Sequence, residues 1–544
     1  MVGAALSAVL AQAADGPVVA VNGGQIQGRL LPAPGGAAFK GIPYAAPPMD
    51  ERRWREPQPL APWSGVLPAD AYRPGCGQMV EAANGGKVAT EDCLYLNVWT
   101  PQWPAASAKK PVMLWINGGE LGGGSGSLRA GGESLIRHGV VLVSANYRGT
   151  LLGMMGHPEL TAESPHHFSA NYTIYDEIAV LRWIHDNIAR FVGDPSNVTV
   201  FSQSGGAHIT SILLTSPMTR GLIHRAILDS GAPIQPTRPY LRLEELEQIG
   251  VVTAQMLQAP ATEQVKFLRG LPASELAGGD MMRAVRARLL EMNGAAYDEG
   301  TDGYGIPQPP NEVWEAHKEA AIPLMIGSNG QDTGLAIGET APLDGSASAD
   351  QVAAWENGIL DVFYGQDADL LQRARQIYGL RGSPNEIASY APWGTPVQQM
   401  GVDLNHRCGV ALSAALHSTI APTYQFEFTR TTPGHPPSHG AELRYLFGYD
   451  DLTDDSDRRY SEVMQRYWTN FAKTGNPNGP DLPVWSKYDV KTKPSMDFAS
   501  DGPMPTRAVR AAACAPFNEK YARHPDALSS GANLKLRVSA AGGR

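Results

Sequence analysis

One serine in this chain stands where serines do chemistry. Val198-Thr199-Val200-Phe201 is a β-branched and aromatic run; Ser202-Gln203-Ser204-Gly205-Gly206-Ala207 follows, and a helix-capable stretch comes next. A strand that turns sharply into a helix exposes the serine at its corner, provided small residues sit two before and two after it. Here those residues are Ser202 and Gly206, so the literal G-x-S-x-G pattern is not met and Ser202 replaces the first glycine. An ordinary Ser/Gly turn gives the same local pattern, and on these residues alone both readings stand. The chemistry on offer is nucleophilic. A serine hydroxyl is a poor nucleophile at neutral pH and needs a base within hydrogen-bond reach. A neutral histidine suits that task, and a carboxylate fixes its tautomer and stabilises the imidazolium that forms.

A second candidate is Trp115-Ile116-Asn117-Gly118-Gly119-Glu120-Leu121, with glycines continuing to Gly126. A glycine-rich loop after a strand can aim backbone N–H groups at an anion, and losing one such donor typically costs about 100–1,000-fold in rate. A flexible loop reads the same way. A phosphate cradle is disfavoured because no G-x-x-x-x-G-K-[ST] occurs. His435 and His439 form H-x-x-x-H, but Pro436 and Pro437 between them prevent the helix that would put both on one face, so no metal is expected. The four cysteines, Cys76, Cys93, Cys408 and Cys514, are even in number and contain no C-x-x-C. They read as disulfides or as buried thiols, and spacing does not choose among the three pairings.

The elements that must position these groups are short apolar runs. Strands are expected at 112–116, 140–143, 198–201, 226–228, 324–326 and 424–428. A helix with an apolar stripe of Ile178, Val180, Leu181, Trp183, Ile184 and Ile188 is expected over 175–191. Alternation of strands and helices argues for a mostly parallel α/β sheet with helices on both faces. Helix-rich stretches at about 239–321 and 349–416 read as caps over the sheet's carboxyl edge, where α/β sites form. Their Met281, Met282, Tyr297, Tyr304 and Trp314 suggest either an adaptable apolar pocket wall or ordinary cap core.

Composition sets the outer limits. The chain has 544 residues, and 44 Lys and Arg against 54 Asp and Glu leave a net charge of −10, which has the wrong sign for a nucleic-acid partner. The 59 glycines and 43 prolines mark a loop-rich globular chain, and no apolar run reaches the roughly 20 residues of a membrane helix. Ala11-Gln12-Ala13 closes an apolar stretch, so residues 1–13 read as a signal peptide without its basic start, and the location as secreted or periplasmic. Residues 14–528 read as one catalytic domain and 529–544 as a flexible tail.

Taken with these residues, the sequence resembles the type-B carboxylesterase/cholinesterase family from about residue 17 to about residue 520. The resemblance rests on Phe39-Lys40-Gly41-Ile42-Pro43-Tyr44-Ala45, Glu91-Asp92-Cys93-Leu94-Tyr95-Leu96-Asn97, Asn146-Tyr147-Arg148 and Gly156-His157-Pro158-Glu159-Leu160. It continues through Phe191-Val192-Gly193-Asp194-Pro195-Ser196-Asn197, His439-Gly440-Ala441-Glu442-Leu443 and Asn470-Phe471-Ala472-Lys473-Thr474-Gly475-Asn476-Pro477. It implies an α/β-hydrolase fold, no cofactor, a small-molecule ester substrate, and a triad in the order serine, acid, histidine. By match these are Ser204, Asp332 and His439, with Gly119, Glu120 and Gly205 as the oxyanion donors. The same match pairs Cys76 with Cys93 and Cys408 with Cys514.

Three departures matter. The family usually has Glu where Asp332 stands, so a side chain one methylene shorter must reach the histidine; Glu339 is a fallback outside the motif. Asn117-Gly118-Gly119-Glu120 replaces the usual run of three glycines. Glu120 either points outward or lines the acyl pocket and selects polar or cationic groups. No Trp, Tyr or Phe lies between Cys76 and Cys93, so choline esters are not the expected substrate. The expected function is a serine carboxylic-ester hydrolase acting through an acyl-enzyme. An acyltransferase on the same triad is the alternative, and a non-catalytic cholinesterase-like binding protein comes after it.

Overall fold

The computed structural model describes residues 16–32, 35–81, 87–105, 109–119, 124–129, 131–234, 240–293, 299–332, 348, 350, 360, 363–365, 367–379, 392–394 and 396–524. The expected leader at 1–13, the tail at 529–544, Glu120, Tyr297 and Glu339 lie outside the described residues.

Eleven strands form the central sheet among the described residues. In chain order they are β1 (Arg29–Leu30), β2 (Ala37–Pro43), β3 (Tyr95–Thr100), β4 (Lys110–Ile116), β5 (Val141–Ala145), β6 (Gly193–Gln203), β7 (Arg225–Asp229), β8 (Leu324–Asn329), β9 (Thr423–Phe428), β10 (Pro494–Ala499) and β11 (Gly502–Arg507). Across the sheet they run β11-β10-β9-β8-β7-β6-β4-β5-β3-β2-β1. The block from β10 to β5 is parallel throughout, and the strands at both ends join it antiparallel. All six expected strands are present; four match within two residues at each end, while β6 starts five residues before the expected Val198 and β8 runs three residues past the expected Ile326.

The apolar runs are continuous because both faces of the sheet are covered. Side chains alternate across a strand, so β4 sends Val112, Leu114 and Ile116 into one core and Met113 and Trp115 into the other. The first core holds α1 (Tyr172–Asn187) and α2 (Gly205–Leu213), with Ile178, Leu181, Ile209 and Ile212 packed on the sheet. The second holds α4 (Asp455–Thr474), whose Tyr460, Met464, Tyr467, Trp468 and Phe471 meet Phe201, Tyr424 and Phe426. Helix α1 starts three residues before the expected Tyr175, and a 3-10 turn over Ile188–Phe191 replaces its expected last turn. More than an apolar stripe is covered, since Asp176 and Glu177 are fully buried as well. Asp176 is satisfied by the Arg148 guanidinium at 2.8 Å, which explains the arginine of the Asn-Tyr-Arg segment.

The two helix-rich stretches are insertions after β7 and after β8. The first contains helices at Leu243–Met256, Gln264–Arg269, Ala273–Ala277, Gly279–Asn293 and Pro310–Glu315. The second contains helices at Ala368–Tyr378 and Pro396–Val402 and α3 (Cys408–His417). Trp314 is fully buried against His417 and packs as core, while the half-buried Tyr304 stacks on Phe168 and on His166. Disulfides join Cys76 to Cys93 and Cys408 to Cys514. No described helix is long and apolar enough to cross a membrane.

Candidate active site

The nucleophile elbow exists because the backbone around Ser204 leaves no room for larger residues. Ser204 has φ +58° and ψ −128°, strained for a residue with a Cβ, directly between β6 and α2. A Cβ on Gly206 would lie 2.2 Å from the Ile116 carbonyl oxygen, and one on Gly118 would lie 2.7 Å from the Ser204 Cβ. Glycine at both places lets β4, the loop after it and the nucleophile turn approach one another. Ser202 fits where the first glycine is usual because its hydroxyl is used. It donates to the Ile227 carbonyl at 3.1 Å and accepts from the Thr210 hydroxyl at 2.9 Å, so a buried polar atom is satisfied. The Ser204 N–H is held by the Asp229 carbonyl at 2.8 Å.

Ser204 Oγ lies 2.7 Å from His439 Nε2, and His439 Nδ1 is hydrogen-bonded to Asp332 Oδ1. The three residues come from the carboxyl ends of β6, β8 and β9, at the sheet edge where α/β sites form. Asp332 reaches the imidazole despite its shorter side chain because the two loops are laced together. The Gln331 N–H donates to the Pro437 carbonyl at 2.8 Å, and Asn329 Nδ2 donates to the Ser438 carbonyl at 2.7 Å. Asn329 Nδ2 also meets the buried Glu442 carboxylate, while its backbone N–H donates to Asp332 Oδ2 at 3.1 Å. The Arg407 guanidinium donates to the Asn329 and Gly330 carbonyls at 3.0 and 3.2 Å.

The electrostatics favour a charged Asp332. Burial alone would raise its pKa, but the electrostatic influence of the His406 and His439 imidazoles and hydrogen bonds from His439 and Ser230 outweigh it. The carboxyl is held well below the usual carboxylate range. Asp229 and Glu442 behave in the opposite way. Each is fully buried and pushed up, Asp229 by burial and then by the facing Glu442 carboxyl, so this pair favours holding a proton.

Asn117, Gly124 and Gly126 of the glycine-rich stretch are pinned by residues of the matching segments. Tyr147 Oη donates to the Asn117 carbonyl at 2.6 Å, and Gly124 pairs with Tyr147 through the backbone. Asn146 Oδ1 accepts the Gly126 N–H at 2.6 Å, and Asn97 Nδ2 donates to the Gly126 carbonyl at 3.1 Å. Gly119 has φ +139°, which favours glycine. Gly205 is the first residue of α2, where a helix leaves its N–H without an intrahelical acceptor.

Two neighbours of the site have no local sequence signal. Gln203 Nε2 lies 3.1 Å from His439 Nε2, beside the serine hydroxyl. The His406 ring centroid is 5.6 Å from that of His439. His435, the other histidine of the H-x-x-x-H spacing, is exposed in its loop, as Pro436 and Pro437 imply.

A serine on a strand–turn–helix corner, an imidazole and a buried carboxylate in line define a serine hydrolase site of the α/β-hydrolase type. Residues 15–515 match the carboxylesterase family model, and the chain belongs to that family. It is 30% identical to Carboxylesterase 1F of Mus musculus over 516 residues, 87% of this chain and 89% of the relative. It is also 30% identical to the fumonisin B1 esterase of Sphingopyxis macrogoltabida over 480 residues, 85% and 83% of the two chains. The fold is similar to that of a solved PNB esterase, with a TM-score of 0.73 and 27% identity over 92% of this chain and 99% of that one.

Proposed function

We propose that this carboxylesterase-family enzyme cleaves small-molecule carboxylic esters through an acyl-enzyme on Ser204, with His439 as general base and then acid, and Asp332 holding the imidazole. The observation that carries this reading is the unbroken hydrogen-bonded line from Ser204 Oγ through both His439 nitrogens to Asp332. With Nδ1–H donated to Asp332, the Nε2 lone pair faces the serine hydroxyl. Ser204 Oγ attacks the ester carbonyl carbon while its proton passes to Nε2. Collapse of the tetrahedral intermediate breaks the acyl–oxygen bond, and the imidazolium returns that proton to the departing alkoxide. Water then repeats the sequence, giving the free acid and restoring Ser204. The Gly119 and Gly205 N–H groups serve as oxyanion donors in this reading, supported by the pinned loop and the start of α2; Glu120, the third candidate, is outside the described residues.

The insertions after β7 and β8 leave from the same sheet edge as Ser204, which supports their reading as caps of one catalytic unit. Two disulfides support an oxidising location, secreted or periplasmic. The test is covalent labelling with a fluorophosphonate. Native protein is expected to label at Ser204, and Ser204→Ala to lose both labelling and ester hydrolysis. Undiminished hydrolysis by Ser204→Ala would overturn the proposal.

A further inference from the structure

Asp332 faces a second imidazole besides His439. His406 lies 33 positions before His439 in the chain, yet one ligand atom from each of Asp332, His406 and His439 lies within 4.8 Å of the other two. Two imidazoles and one carboxylate are a donor set that borderline divalent ions take, with a position left open for water. Hard ions such as Mg2+ or Ca2+ want several oxygens, and this cluster offers one carboxylate.

The three donors are held by separate, fixed elements. Asp332 is fully buried and oriented by the Asn329 N–H. His439 is carried on the loop laced to Asn329 and Gln331. His406 sits in a single π-helical stretch, Asp403–Arg407, immediately before α3. Such π-helical turns are frequent at functional sites. Its neighbour Arg407 is fixed from both sides, by Asp403 and Glu427 and by the carbonyls beside Asp332. That anchoring presents His406 to Asp332 across a loop junction. His406 is half-buried and His439 keeps 26% side-chain exposure, so the cluster opens toward solvent.

We infer that Asp332, His406 and His439 form a reversible inhibitory site for a divalent transition ion of the Zn2+ type. Occupancy switches off the site because the ion binds Nδ1, the nitrogen on the Asp332 side of the ring. The Nδ1 proton moves to Nε2, so Ser204 faces a donor instead of a base, and the bond to Asp332 is broken. No redox change is involved, and removing the ion restores the starting hydrogen bonds. The inhibition rests on the triad reading above; the binding of the ion does not.

The test uses Zn2+ on the full chain with two readouts, calorimetric binding and fluorophosphonate labelling of Ser204. Wild-type protein is expected to bind one Zn2+ and to lose labelling and ester hydrolysis in step, with full recovery on adding EDTA, while Mg2+ does nothing. His406→Gln is expected to label normally without metal. It should need at least about tenfold more Zn2+ for half-suppression, because loss of a ligating imidazole costs at least as much as the loss of a supporting group. His406→Phe, which keeps the ring volume, should behave alike and guards against a folding artefact in either variant. The inference is overturned if Zn2+ leaves wild-type labelling intact, or if both variants remain as sensitive as wild type. If the wild type fails to label without metal, the triad reading falls; calorimetric Zn2+ binding that His406→Gln abolishes would still support the site, and absent binding would overturn it.

Discussion

Asp332→Asn should disable the enzyme without unfolding it, and the structure dictates how. Asp332 is fully buried and accepts hydrogen bonds from His439 Nδ1 on Oδ1, from the Asn329 N–H on Oδ2 at 3.1 Å, and from the Ser230 side chain. An amide of the same shape has one acceptor and one donor end. The Asn329 N–H is buried and must keep an acceptor, so the amide oxygen stays there and the NH2 turns toward His439. Nδ1 then has to accept, which moves the ring proton to Nε2, the nitrogen 2.7 Å from Ser204 Oγ. The serine now faces a donor and has no base. Wrong-tautomer variants of this kind lose about 10⁴ in kcat, which at 1.36 kcal/mol per tenfold is about 5.4 kcal/mol of transition-state stabilisation. The assay is steady-state hydrolysis of a neutral aryl ester, with KM expected within a few-fold of wild type because the carboxylate does not touch substrate. A variant that folds, as judged by its thermal transition, and keeps kcat within about tenfold of wild type would refute the assignment of Asp332. The stability effect carries a sign as well. The folded-state pKa of Asp332 is depressed, so its contribution is present above the unfolded value of about 3.9 and is lost as pH falls below it. The stability gap between wild type and Asp332→Asn should therefore narrow on acidification below about pH 4, and a gap that widens there would contradict the charged form.

Tyr147→Phe removes the hydroxyl that holds the Asn117 carbonyl at 2.6 Å; one lost hydrogen bond of about 1 kcal/mol predicts a fall of about fivefold in kcat through looser oxyanion donors, with KM little changed. An unchanged kcat would show that the loop is held without it. Ser202→Gly restores the usual elbow glycine but deletes the bonds to Ile227 and Thr210. Urea unfolding should show a loss of about 2 kcal/mol, from the hydrogen bonds and the added chain entropy, while kcat stays near wild type. A gain in stability would contradict this account of Ser202. Replacing Cys408 and Cys514 by Ala opens a loop with a sequence separation of 106, against 17 for Cys76 and Cys93, so loop entropy predicts losses of about 4.7 and about 3 kcal/mol. Equal shifts in the urea midpoint for the two double variants would count against the loop-entropy account.

How far the sequence could be read depended on whether a residue's partner was local. The strands were legible because a sheet covered on both faces demands uninterrupted apolar runs, and the elbow was legible because a tight turn demands small residues within a few positions. The reach of Asp332 was not legible, since its shorter side chain is compensated by backbone bonds between Gln331 and Pro437, more than a hundred positions apart. Gln203 and His406 gave no signal for the same reason. The Gln203 amide means something only once β9 has brought His439 to it, and His406 comes near Asp332 only through the packing of its π-helical turn against the end of β8. The H-x-x-x-H spacing was rightly set aside, because Pro436 and Pro437 keep His435 in an exposed loop. Motif glycines and asparagines survive this limit because they answer to the backbone. Asn97 and Asn146 tie down Gly126 at both its N–H and its carbonyl, and a Cβ on Gly126 would meet the Ala145 carbonyl carbon at 2.9 Å. Gly126 is thus fixed by side chains from β3 and from just beyond β5, neither of which carries a group of the proposed triad. On the proposed reading of Gly119 as an oxyanion donor, changes at those asparagines should lower kcat as changes near Gly119 would.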